Sequence, residues 1–204
     1  MYQIVMISGK QGSGKTTLQH FLAQEWQKRF VGARAITVNF ADVLYEMHDQ
    51  CLNTLHKYWP KRDIVKDGPL LQLLGTEWGR NTIDQDIWVK CLREKINILA
   101  SQNSHYEKLL FIIGDCRFEN EFNYVSEALR VRLEASEAVR KERVSMWRDN
   151  SNHPSEIGLD TFSKEQKFDL YLRTEGSTLL NPIAPMIELI IAQLQKNNWI
   201  EKRK

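Results

Sequence analysis

Apolar residues along the chain fall into two alternating rhythms. Gln3-Ile4-Val5-Met6-Ile7-Ser8 is a short apolar run with β-branched residues, and Ala35-Ile36-Thr37-Val38-Asn39 repeats it. Leu109-Leu110-Phe111-Ile112-Ile113-Gly114-Asp115 is the most continuous, as expected of a strand whose two faces are both covered. Ala128 to Leu133, interrupted by Arg130 and Arg132, and Phe168 to Leu172 make five predicted strands. Between them the spacing becomes helical. Leu18, Phe21, Leu22 and Trp26 stripe residues 17–29, with Gln19, Gln24, Gln27 and Lys28 on the other faces, and Gly32 ends that segment. Further helices are predicted over Ala41 to Tyr58, stopped by Pro60, over Leu70 to Trp78, closed by Gly79, and over Ile87 to Ile98. Leu70, Leu71, Leu73 and Leu74 would form a core face. Val139 to Arg148 and a closing helix marked by Ile183, Met186, Ile187, Ile190, Ile191 and Leu194 follow the same rule. Residues 61–69, 101–107 and 150–160 are polar and broken, hence loops, and Glu175-Gly176-Ser177 is a turn.

Strands alternating with helices imply right-handed crossovers. The expected fold is α/β in three layers, with a mostly parallel sheet of about five strands and helices on both faces. No internal repeat, low-complexity tract or long linker divides the 204 residues, so residues 1–204 are expected to form one domain.

Between the first strand and first helix stands Gly9-Lys10-Gln11-Gly12-Ser13-Gly14-Lys15-Thr16, a G-x-x-x-x-G-K-[ST] loop. In that arrangement backbone N–H groups cradle phosphate oxygens at a helix N-terminus, where the helix dipole favours negative charge. Lys15 is expected to reach the β- and γ-phosphates of ATP, and Thr16 to offer its hydroxyl to Mg²⁺, with Gly9, Gln11, Gly12, Ser13, Gly14 and Thr17 completing the nucleotide site.

A nucleotide site of this kind needs a carboxylate near the metal. Asp115, ending the most apolar strand, suits that role, the plainer alternative being a cap for a helix starting near Glu119. Arg117 lies two residues on, at the carboxyl end of a strand, where open α/β sheets place their ligands. Arg80 follows a glycine at a helix end and serves equally as a solvated charge or a phosphate ligand. Arg140, Lys141, Arg143 and Arg148 sit on one basic helix that feeds a loop, and residues 137–162 read either as a solvated face or as a lid. Trp78 and Trp88 bracket a stretch dense in Arg and Asp, including Asp84; such aromatics are core residues or base-stacking platforms.

Leu70 to Arg80, Asp86-Ile87-Trp88-Val89 and Asp115-Cys116-Arg117-Phe118-Glu119-Asn120-Glu121 together resemble bacteriophage-type deoxynucleoside monophosphate kinases. The resemblance runs from the P-loop through His153-Pro154-Ser155-Glu156 to Phe168-Asp169. It implies an adenylate-kinase-like fold that moves the γ-phosphoryl of ATP, with Mg²⁺, to a nucleoside monophosphate. Residues 41–107 would then bind the acceptor through Asp42, Trp78, Arg80, Asp84, Trp88 and Arg117, and Lys15, Arg117, Arg140 and Arg143 would act on the transferred group. The chain departs from the family at Val43-Leu44-Tyr45, where relatives tend to carry a proline and then a lysine. A small-molecule kinase of the phosphomevalonate type and a P-loop switch remain alternatives.

Composition narrows the partners. A formal net charge of +2 without a long basic block gives no footprint for nucleic acid. The apolar runs are too short to span a bilayer, and a strand already begins at the first residues, which predicts no signal peptide. Three widely spaced cysteines lack metal-ligand spacing, the pattern of a reduced, cytoplasmic protein. A small-molecule substrate is therefore the expected partner, and a homodimer stays open.

Overall fold

The computed structural model describes residues 2–60, 66–145, 147, 154–175 and 180–196. Arg148, His153, Gly176 and Ser177 of the stretches above, and residues 61–65, lie outside these. Five strands, β1 (Tyr2–Ser8), β2 (Ala33–Val38), β3 (Lys108–Cys116), β4 (Leu129–Glu134) and β5 (Leu170–Arg173), pair in parallel in the order β2-β3-β1-β4-β5. β1 is central, with Val5 flanked by Ile112 on one side and Leu129 on the other.

Helices cover both faces. On one, Leu18, Leu22 and Trp26 of α1 (Lys15–Arg29) join Ile187, Ile190 and Leu194 of α9 (Leu180–Lys196) against Val5, Ile7, Ile112 and Val131. On the other, Val89, Leu92 and Ile96 of α4 (Ile87–Gln102) pack with Phe122, Phe162 and Phe168 over Ile4, Met6, Phe111 and Ile113. This is the expected three-layer parallel α/β fold. β4 forms despite its arginines: Arg132 is buried, donating to Ser8 Oγ and Asp160, and Arg130 lies over the Phe122 ring.

The remaining helices are α2 (Asp42–Tyr58), α3 (Gly68–Gln72), α5 (Glu119–Tyr124), α6 (Glu137–Arg143), α7 (Pro154–Ile157) and α8 (Asp160–Lys164). Four expectations fail, the first being the loop over residues 150–160, where α7 forms at Pro154–Ile157. The leucine segment is not one helix closed at Gly79: α3 passes into a π-helical stretch, Leu73–Ile83. Its buried residues are Gly75 and Gly79, while Leu73 is 48% exposed, because the glycines admit Leu44 and the Trp88 ring. Gln19, assigned to a polar face, is buried, since its amide donates to the Ile112 carbonyl at 2.9 Å in the middle of β3. The basic helix is also shorter than its periodicity suggested and ends at Arg143.

Candidate functional site

The loop after β1 turns through Gly12 at φ +76°, in the left-handed region that favours glycine. A Cβ there would lie 2.7 Å from the Arg140 carbonyl, so α6 rests directly on the loop. Gly14 caps α1 without a side chain, and the first turn of α1 carries no acid. The opening N–H groups of a 15-residue helix thus face the site with no built-in anion at the cap, which suits phosphate. Lys15 Nζ folds back onto the carbonyls of Gly9 and Lys10, at 2.6 and 2.9 Å. Burial first, then the neighbouring Arg117, pull its pKa down to about 7.

A cavity of about 510 Å³ opens over this helix end. Gln11, Gly12, Gly14, Lys15, Thr16 and Thr17 line one side; Asp42, Asp115 and Arg117, with Tyr45 and Arg143, line the rest. The structure therefore brings together most of the expected nucleotide residues with Asp115 and Arg117. Gly9 contributes its carbonyl to Lys15, and Ser13 faces another cavity.

Asp115 caps nothing near Glu119. Its two carboxylate oxygens accept the backbone N–H groups of Phe40 and Ala41, at 2.9 and 3.0 Å, tying the end of β2 to β3. Burial still raises its pKa to about 6. Each oxygen keeps a second lone pair, so Asp115 can clamp the turn and also face a cation. Among the described residues no cluster of three or more His, Cys, Asp or Glu could hold a metal. Thr16 and Asp115 fit Mg²⁺ in the manner of a site completed by substrate phosphates.

Two carboxylates that sequence reasoning left without a role organise the arginines. Glu156 of α7, buried, accepts from Arg117 Nη1 at 3.0 Å and from the Gln11 N–H at 2.8 Å. Glu121 of α5, also buried, accepts from Arg80 Nη2 at 3.1 Å and from the Arg117 and Phe118 N–H groups at 2.8 and 3.1 Å. Desolvation lifts the Glu121 pKa to about 7. An acid inside each quoted motif was the only signal for either.

Other expected residues sit elsewhere. Trp88 is core, its indole donating to the Gly75 carbonyl and its ring lying against Gly79. Asp84 is taken up locally by Lys90 and the Asp86 N–H, at the start of α4. Neither lines the cavity: Trp88 is held in the core and Asp84 beside Lys90. Trp78 is 39% exposed, and Arg80 stacks over Phe118; they too lie off the cavity wall. Arg140 points away from Lys15, donating to the Gln11 carbonyl, whereas Arg143 lines the nucleotide cavity and holds Thr174 through its hydroxyl and carbonyl. The two share a face of α6, and the loop packed beneath that helix divides the cavities they line. The aromatic that does line the site is Tyr45, 40% exposed, with Lys66 Nζ 2.7 Å from its hydroxyl.

No known family model matches the chain, and no curated protein matches it in sequence. Solved structures do. The shikimate kinase of Bacteroides thetaiotaomicron superposes with a TM-score of 0.50 at 13% identity, covering 95% of this chain and 98% of that one. The shikimate kinase of Aquifex aeolicus gives 0.51 at 14%, covering 96% and 98%. The protein TT1252 of Thermus thermophilus gives 0.53 at 18%, covering 94% and 97%. At these identities the likeness shows the fold alone. No helix of the described residues is long and apolar enough to cross a membrane.

Proposed function

We propose that the protein is an ATP-dependent phosphotransferase acting on a small acceptor, a nucleoside monophosphate, in the cytoplasm. The observation that carries this reading is the meeting of Lys15, Thr16, Asp115 and Arg117 around one cavity at an open helix N-terminus. Phosphoryl transfer asks little covalent chemistry of a protein and much positioning of charge. Lys15 would leave its carbonyl partners for the β- and γ-phosphates. Arg117, held by Glu156, would stabilise charge on the transferred group. Arg143 would face the nucleotide from α6. Thr16 and Asp115 would hold Mg²⁺, which would supply positive charge against the phosphates. On the acceptor side, Tyr45 offers a ring for a base, and Lys66, beside its hydroxyl, offers the amine missing from the Val43-Leu44-Tyr45 stretch.

The second reading is a kinase with a non-nucleotide acceptor. The burial of Trp88 favours it, because it removes one of the two expected stacking platforms. The likeness to structures named shikimate kinase adds a hydroxy acid to the candidates. A coupled ADP-release assay across nucleoside and deoxynucleoside monophosphates, phosphomevalonate and shikimate separates the two. Turnover with a monophosphate, quenched tryptophan or tyrosine emission on titrating it, and loss of both in Tyr45→Ala are expected. Turnover with a non-nucleotide alone selects the second reading, and ATP hydrolysis that no acceptor accelerates selects a switch.

A further inference from the structure

β5 ends at Arg173, and the next residue, Thr174, is polar yet only 1% exposed. Its N–H continues the sheet, donating at 2.8 Å to the carbonyl of Glu134, the last residue of β4. With the backbone held there, the branched Cβ leaves the hydroxyl few directions to point. Both sides of that hydroxyl are engaged. It accepts from Arg143 Nη1 at 2.9 Å and donates to the Ser13 carbonyl of the P-loop at 3.0 Å, the Glu134 carbonyl at 3.3 Å being the longer alternative. The Thr174 carbonyl accepts from Arg143 Nη2 at 3.1 Å, so both ends of the guanidinium fork meet oxygens of one residue.

Arg143 is the arginine of α6 that lines the nucleotide cavity, and it is the last residue of that helix. A long cationic side chain in such a place is costly to order, because each rotatable bond fixed on binding is freedom lost. A two-point grip on a residue that the sheet already holds meets this cost before any ligand arrives. The same hydroxyl also touches the P-loop backbone, so the guanidinium and the phosphate cradle keep a set separation. A serine can make the same bonds with a looser rotamer. A valine has the same shape and can make neither.

We propose that Thr174 is a positioning residue of the nucleotide site, acting through Arg143: it presets that guanidinium on the cavity wall and fixes its spacing from the P-loop. The inference rests on the nucleotide reading of this cavity and adds to it a residue that does not line the cavity itself.

The test is calorimetric titration of a non-hydrolysable ATP analogue, with Mg²⁺, into the wild type, Thr174→Val, Thr174→Ser, Arg143→Gln and the double variant Thr174→Val with Arg143→Gln. Thermal melts verify that each is folded; should Thr174→Val not fold, Thr174→Cys, with a weakly bonding thiol at the same place, is read instead. Thr174→Val should weaken binding about ten-fold and Thr174→Ser no more than about three-fold. The double variant should bind like Arg143→Gln alone, because the valine then has no guanidinium left to misplace. Unchanged affinity in Thr174→Val or in Arg143→Gln overturns the proposal. So does a valine penalty that adds in full to that of Arg143→Gln, which would make Thr174 a brace of the loop and nothing more. A wild type that binds no nucleotide is a different result: it sinks the nucleotide reading, and the proposal with it.

Discussion

Lys15 is a buried ammonium whose hydrogen bonds go to carbonyls, with two guanidiniums, Arg117 and Arg132, adding to its discomfort. Its folded pKa of about 7 lies below its ordinary 10.5, so the unfolded chain binds a proton that the folded chain does not. The contribution of Lys15 to folding stability therefore rises with pH between about 7 and 10.5, and is lowest below 7 where the charged form must stay buried. A polyphosphate reverses the balance by favouring the charged lysine. ATP binding at pH 8 should take up a proton, and affinity should fall by up to about ten-fold per unit as pH rises above 7. Calorimetry in buffers of different ionisation enthalpy reads this directly. Lys15→Ala should abolish the uptake and lower kcat/KM by about 10²–10³ or more, without loss of Tm. Affinity unchanged from pH 6.5 to 8.5 would show that Lys15 does not meet the phosphates. Asp115→Asn has two expected effects. An amide nitrogen placed before the Phe40 or Ala41 N–H leaves a donor unsatisfied, costing about 1–3 kcal/mol of stability. The lost charge should raise the Mg²⁺ concentration needed for half-maximal activity. A lower Tm with unaltered Mg²⁺ demand makes Asp115 a clamp only.

At the scale of elements, α7 reaches the nucleotide-side cavity through one side chain. Glu156 bridges the P-loop amide of Gln11 and Arg117 beyond the end of β3, joining two segments that the sheet alone does not hold together. A glutamine there has one acceptor oxygen for two donors and no charge to orient a guanidinium. Glu156→Gln should lower kcat/KM for the acceptor about ten-fold or more, with ATP affinity unchanged or tighter, as measured by steady-state kinetics and by ATP titration. Weaker ATP binding with normal acceptor kinetics would confine Glu156 to the loop. The π-helical stretch 73–83 is the other element with a consequence: it carries Arg80 to Glu121, so that Arg80 and Arg117 meet at one buried carboxylate from two sides.

At the scale of the whole molecule, two helical layers on a parallel sheet leave the carboxyl ends of the strands as the common address of P-loop, Asp115 and Arg117. A ligand bound there touches the P-loop, β3 and α1 at once and should stabilise the entire fold. At 100 times its Kd, Mg²⁺ with a non-hydrolysable ATP analogue should add about 2.7 kcal/mol, raising Tm by several degrees. A true acceptor, added on top, should raise it again, and Lys15→Ala should lose most of the first increment. An acceptor that shifts Tm equally with and without the analogue would not share the site.

The sequence alone determined the order of the five strands, the P-loop, the helices α1, α2 and α4 and the closing helix, because each is written in neighbouring residues. Periodicity shows which side of a segment is apolar, and Gly12, Gly14, Lys15 and Thr16 do their work within a single turn. Asp115 and Arg117 were legible too, as polar residues at the end of an apolar strand. The tertiary structure decided what depends on a distant partner. Gln19 is buried because β3, 93 residues on, offers it a carbonyl, and Glu156 matters because the P-loop, 145 residues earlier, offers it an amide. Trp88 became core because Gly75 and Gly79 let the π-helical stretch close over it, and Arg140 and Arg143 parted because α6 lies across the loop. A polar side chain carries no local sign of whether it will meet water, an acceptor or a ligand; only packing supplies the partner.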